Sequence, residues 1–144
     1  MMVIREALPP DAAEISDLST QLGYPIKEEE INSHLTDLLA DPDHNIFVAE
    51  NLDIGLVGFV HVFVTKRLFL DSFIELGGLV VDGGNRGEGH GMLLLAAAEA
   101  WAAEKGCREM RIRSNVIREA AHNFYLNQGY LAHKKQTVFL KRIP

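Results

Sequence analysis

Seven of the chain's twelve glycines fall within residues 77–91: Gly77, Gly78, Gly83, Gly84, Gly87, Gly89 and Gly91. Glycine loses more conformational freedom on folding than any other residue, so this concentration needs a local use. It lies between a strand-like apolar run, Phe73 to Val81, and an alanine- and leucine-rich helical run, Met92 to Lys105. A strand-to-helix turn presents unpaired backbone N–H groups and the positive end of the helix macrodipole, and both favour a phosphate or diphosphate. Residues without side chains let that anion approach the main chain.

Two familiar phosphate loops can be tested by spacing. Gly84 to Gly89 has the Walker interval, but His90 stands where lysine is required, which disfavours a mononucleotide loop. The dinucleotide fingerprint also fails, because no glycine stands at position 92 and no acidic residue closes a following strand. The six histidines, at 34, 44, 61, 90, 122 and 133, show no paired ligand spacing, so no metal is expected. Cys107 is the single cysteine; it cannot form an internal disulfide, suits a reducing compartment, and reads as a small buried thiol.

Elements that could hold this turn are legible along the chain. Val3 and Ile4 give a short strand. Pro9, Pro10 and Asp11 open a helix with Ile15, Leu18 and Leu22 at helical spacing, ended by Gly23. A second helix begins near Lys27 with Glu28, Glu29 and Glu30 in its first turn and buries Ile31, Leu35, Leu38 and Leu39. Ile46 to Glu50 and Leu56 to Val64 read as a hairpin, and Thr65 to Ser72 as a mobile loop. Gly106 caps the alanine-rich helix, Arg111 to Ser114 is a strand parallel to Phe73–Val81, Glu119 to Asn127 is a helix ended by Gly129, and Gln136 to Lys141 is a closing strand. The class is α/β, with a mixed, mostly antiparallel sheet and helices on both faces.

Size and charge bound the rest. A chain of 144 residues with 47% hydrophobic and 24% charged residues fits one soluble domain spanning 1–144. Fourteen basic against twenty acidic residues leave a net charge of −6, which repels a polyanion, so no nucleic acid partner is expected. The longest wholly apolar run, Met92 to Ala98, is far shorter than the ~20 residues that cross a bilayer. Met1 to Pro10 lacks the apolar core of a secretory signal, so no membrane association and a cytoplasmic location are expected. A homodimer is left open.

The run Arg86-Gly87-Glu88-Gly89-His90-Gly91, followed by Asn115 and by Ala121-His122-Asn123-Phe124-Tyr125-Leu126-Asn127-Gln128-Gly129-Tyr130, resembles the GCN5-related N-acetyltransferase superfamily. That family's acetyl-CoA loop reads Gln/Arg-x-x-Gly-x-Gly/Ala, and its later helix Ala-x-x-Phe-Tyr-x-x-x-Gly-Phe/Tyr. The resemblance is strong from Glu75 to Tyr130 and looser, by order and length of elements, before it.

The resemblance implies transfer of acetyl from acetyl-CoA to a primary amine of unnamed identity, by direct attack in a ternary complex. It places the CoA diphosphate on the backbone of Arg86, Gly87, Glu88, Gly89, His90, Gly91 and Met92, with the side chains of Glu88 and His90 directed to solvent. Leu79, Val80 and Val81 would run along the pantetheine arm, where Gly77 and Gly78 fit a bulge that parts two strands. Asn115 and Asn123 would contact pantetheine or hold strand ends. Tyr125 would be the general acid, its phenol of ordinary pKa about 10 protonating the thiolate that leaves. An amine arrives protonated and must lose a proton before it attacks, and Glu75 is the candidate base, with His61 a weaker substitute. The alternatives are a catalytically idle acyl-CoA-binding module and an enzyme for longer acyl chains.

Overall fold

The computed structural model describes residues 1–114 and 119–144, which form two compact units, Met1–Arg113 and Ser114–Pro144. The first contains β1 (Met2–Glu6), α1 (Ala12–Leu22), α2 (Glu28–Leu39), β2 (His44–Asn51), β3 (Gly55–Arg67), β4 (Leu70–Val81), α3 (His90–Glu104) and β5 (Met110–Ile112). Its five strands lie side by side in chain order, β1-β2-β3-β4-β5. The first three pairings are antiparallel and β4–β5 is parallel, joined through α3.

Alternation along the strands assigns the helices to faces. Ile46, Val48, Phe59 and Val80 pack with Ile15 and Leu18 of α1 and Leu35 of α2 in one buried cluster. Gly58, one residue before Phe59, points the other way, where a Cβ would meet Leu94 of α3 at 3.0 Å. Helices therefore cover both faces, as the residue pattern requires.

α1 starts where the sequence indicates. Pro9–Asp11 form a short 3-10 turn, and the buried Asp11 carboxylate accepts two bonds from the Arg5 guanidinium, at 2.8 and 2.9 Å, and one from the Leu8 N–H at 2.7 Å. This fork ties β1 to the helix start. Gly23 ends α1 at φ +108°, a left-handed conformation that side chains disfavour.

Three expectations change. Thr65 to Ser72 is no loose loop: β3 runs to Arg67 and β4 starts at Leu70, so the hairpin turns at Leu68 and Phe69. Leu39 is not buried; it stands at the end of α2, 37% exposed, because the cluster stops at Leu35 with Ile31 and Leu38 packed against it. Cys107 is half-buried, its N–H closing the end of α3 on the Ala102 carbonyl at 3.1 Å.

The second unit holds α4 (Glu119–Asn127), after which Gly129 takes φ +92°. The closing strand expected at Gln136 to Lys141 is absent, and residues 131–144 form neither helix nor strand. A strand exists only through cross-strand pairing, and here Val138, Phe139 and Leu140 lie exposed, outside every ladder among the described residues. Among those residues no helix is long and apolar enough to cross a membrane.

The close approach at Gly58 gives a direct test. A Cβ there would lie 2.8 Å from the Val80 carbonyl oxygen, a backbone atom that cannot rotate aside. Gly58→Ala is expected to destabilise the protein by about 1–3 kcal/mol, read as a lower Tm in thermal denaturation.

Candidate functional site

β4 changes character at Gly77. Just before that residue it is paired on both edges, with Ile74, Glu75 and Leu76 facing Met110, Arg111 and Ile112 of β5. The β3 register shifts there, His61 facing Gly78 and Val62 facing Leu76, so Gly77 is the extra residue of a bulge. Beyond it, Gly78 to Val81 stay paired with β3, while no strand among the described residues pairs with their outer edge. The expected bulge is present, and among the described residues pairing with β5 ends at Leu76 and Ile112. Val80 keeps its side chain in the α1–α2 cluster, so it can meet a ligand only through its backbone.

The open edge leads into the glycine turn. Asp82 precedes a short 3-10 turn, Gly83–Asn85, and α3 starts at His90. Gly87 and Gly89 take φ +81° and +84°, and no atom lies within 4 Å of where either Cβ would be. Helix geometry leaves the N–H groups of His90, Gly91 and Met92 without an intrahelical acceptor, as Leu93 is the residue that bonds back to Gly89. Left-handed glycines, open space and free amides at a helix start suit a diphosphate. Arg86 is exposed and its Nε donates to the Val81 carbonyl at 3.3 Å, folding its side chain back over the end of β4.

His90 does not point to solvent as expected. It is buried, its Nε2 lies 2.8 Å from a Glu88 carboxylate oxygen, and its Nδ1 is buried with no partner among the described residues. Glu88 itself remains exposed.

A row of polar groups lies on the sheet face that carries Phe59. His44 Nδ1 and His61 Nε2 are 3.0 Å apart, and the two rings stack at 5.2 Å between centroids. His44 also stacks on Phe63 at 5.1 Å. Burial, and then the neighbouring His44, lower the His61 pKa to about 4, so its imidazole is neutral at pH 7. Phe63 faces Glu75 across the ladder. The Glu75 side chain is 13% exposed and lies 3.4 Å from Arg113 and 4.0 Å from Arg67. Beside this row, Ile15, Ile31, His34, Asp37, Phe59 and His61 line part of a cavity of about 480 Å³.

In the second unit, Tyr125 is half-buried in α4. Its ring meets Phe124 edge-on at 5.4 Å and Tyr130 at 6.2 Å, and its carbonyl accepts the Tyr130 N–H at 3.1 Å. Asn123, on the same helix, is exposed. Asn115 lies outside the described residues.

Sequence reasoning missed His44, Gln21 and Asp82. A diagonal neighbour across the hairpin was the available signal for His44. Gln21, in the last turn of α1, reads as an exposed polar residue, and nothing in its spacing marks it.

Comparison with known proteins places this geometry. Residues 10–130 match the model of the acetyltransferase (GNAT) family. A Stenotrophomonas maltophilia protein, aminoglycoside N(6')-acetyltransferase type 1, is 36% identical over 98% of this chain and 92% of its own length. Among solved structures, AAC(6')-Iy in complex with the bisubstrate analogue CoA-S-monomethyl-acetylneamine shares 22% identity, with a TM-score of 0.87 over 99% of each chain. AAC(6')-Ih from Acinetobacter baumannii shares 16%, with a TM-score of 0.88 over the whole of both chains. The chain belongs to the GNAT family of acetyltransferases. It is an N-acetyltransferase whose acetyl donor is acetyl-CoA and whose acceptor is an amine.

The half-buried His61 yields a pH test. Its folded pKa lies below the usual 6.5, so its contribution to stability is complete above pH 6.5 and is lost as pH falls towards about 4. That loss is on the order of 3 kcal/mol. In urea denaturation, the stability difference between pH 7 and pH 4.5 is expected to be smaller in His61→Asn than in the wild type.

Proposed function

We propose that this enzyme acetylates an amine of an aminoglycoside-like, polycationic amino sugar by direct attack in a ternary complex. The observation that carries the acceptor class is the 36% identity, across nearly the whole chain, to an aminoglycoside N(6')-acetyltransferase. The net charge of −6, and the placing of Asp37 and Glu75 on or beside the cavity face, support a cationic acceptor. The family match runs across both compact units, which supports reading 1–144 as one acetyltransferase domain. The lone free cysteine supports a reducing, cytoplasmic setting.

In this reading the amides of Arg86 to Met92 hold the diphosphate, and the outer edge of Leu79 to Val81 exchanges strand-like hydrogen bonds with the pantetheine arm. Bound acetyl-CoA supplies an activated thioester. Tyr125 gives its phenolic proton to the departing sulfur, a role supported by its place in the Phe124-Tyr125 motif. The acceptor's ammonium proton passes to Glu75, directly or through water, and His61 is the alternative base on the same sheet face. Asn123 and Asn115 belong to the pantetheine contacts.

Thiol release from acetyl-CoA, measured against a panel of aminoglycosides, polyamines and lysine peptides, tests the reading. Turnover is expected on aminoglycosides. Tight CoA binding without turnover on any acceptor would favour the idle binding module. Tyr125→Phe is expected to lower kcat by about 10²-fold with the acetyl-CoA KM little changed. Gly89→Glu places a side chain and a negative charge in the diphosphate seat and is expected to abolish CoA binding in calorimetry.

A further inference from the structure

The glycine turn is fastened to α1 by side chains far away in sequence. Gln21 donates from Nε2 to Asp82 Oδ1 at 2.8 Å and accepts the Gly83 N–H on Oε1 at 2.9 Å. Asp82 takes two more bonds on Oδ2, from the Gly84 N–H at 3.1 Å and from Asn85 Nδ2 at 2.9 Å. The Asn85 N–H closes on the Asp82 carbonyl at 2.9 Å. Each amide from 83 to 85 thus has an acceptor, and both polar atoms of the Gln21 amide are engaged in one orientation. The Gln21 bond, followed by those of Asn85 and Gly84, draws the Asp82 carboxyl below the usual carboxylate range.

The other end of this clasp is rigid. Ile15 and Leu18 fix α1 in the core cluster, and Leu22, next to Gln21, lies 3.3 Å from where a Gly78 Cβ would stand. The turn itself contains two left-handed glycines with nothing packed against them. Any part of the turn left unordered must be ordered by the ligand, which weakens binding. A clasp from a packed helix to the first residues of the turn lowers that cost.

We propose that Gln21 is a positioning residue for the donor: through Asp82 and Gly83 it holds the turn in the shape that receives the CoA diphosphate. This rests on the reading of the turn given above. Gln21 acts from α1, so it joins the packing of that helix to the affinity for the donor.

The test exchanges the two ends of the bond. Gln21→Glu sets two carboxylates face to face, and Asp82→Asn sets two N–H donors face to face. Each is expected to raise the acetyl-CoA KM at least about fivefold, leaving kcat and the acceptor KM within about twofold. The double variant Gln21→Glu/Asp82→Asn restores a donor opposite an acceptor at unchanged net charge, and is expected to recover the wild-type KM and CoA Kd. A purely structural role would move Tm and kcat together and would show no such recovery. Single variants with wild-type acetyl-CoA KM, or a double variant no better than the singles, overturn the proposal. If one single variant does not fold, Gln21→Ala replaces it with the same expected rise. Silent clasp variants beside a Gly89→Glu protein that has lost CoA would sink this inference alone; a Gly89→Glu protein that binds CoA normally would sink the reading of the turn.

Discussion

Among the described residues β4 is hydrogen-bonded along both edges from Ile74 to Leu76 and no further, and the proposed chemistry depends on that limit. Backbone N–H and C=O groups need partners, and the outer edge of Gly78 to Val81 finds none in a strand among the described residues. The same strand runs directly into a turn whose amides suit a diphosphate. An extended, amide-bearing arm ending in a diphosphate complements both features at once, and acetyl-CoA has that form. The Gly77 bulge coincides with the limit: the register against β3 shifts at the residue after which pairing with β5 stops. A side chain there has little room, since its Cβ would lie 2.8 Å from the His61 ring.

The face opposite α3 handles charge in two ways. His61 is kept neutral by burial and by His44, and the two rings stack with Phe63 in one patch. One ladder position away, Glu75 is flanked by Arg67 and Arg113. The arrangement places an apolar, hydrogen-bonding surface beside a compensated carboxylate. A cationic acceptor must compete with two guanidiniums for that carboxylate, so recognition there exchanges one ion pair for another instead of adding a new one.

Much of this was legible in the chain because glycine, proline and periodic apolar residues act locally. Gly23, Gly106 and Gly129 each end a helix, and each has positive φ. The β4–α3–β5 unit and the glycine turn followed from composition shifts alone. The failures share a cause in tertiary context. Gln136 to Lys141 carries strand-like residues, but pairing makes a strand and no ladder among the described residues takes it up. The Leu68–Phe69 hairpin tip is exposed and apolar, which contradicts the usual polarity of turns. His90 sits at a position whose backbone, in the reading above, serves the anion, while its ring is taken into the fold, and only packing decides the second point. The Gln21–Asp82 clasp joins residues 61 positions apart, beyond the reach of any local pattern.

The order of strands in the sheet is the order of strands in the chain, and this bears on how the protein assembles. The β2–β3 and β3–β4 hairpins close across a few residues, whereas β1 must reach β2 across both leading helices and β5 must reach β4 across α3. Closure entropy grows with the length spanned, so the central meander is cheap to nucleate and the outer strands are late additions. Among the described residues, three residue pairs hold β5. Among the described residues the border of the proposed donor cleft is therefore also the sheet's weakest seam, where local opening costs least.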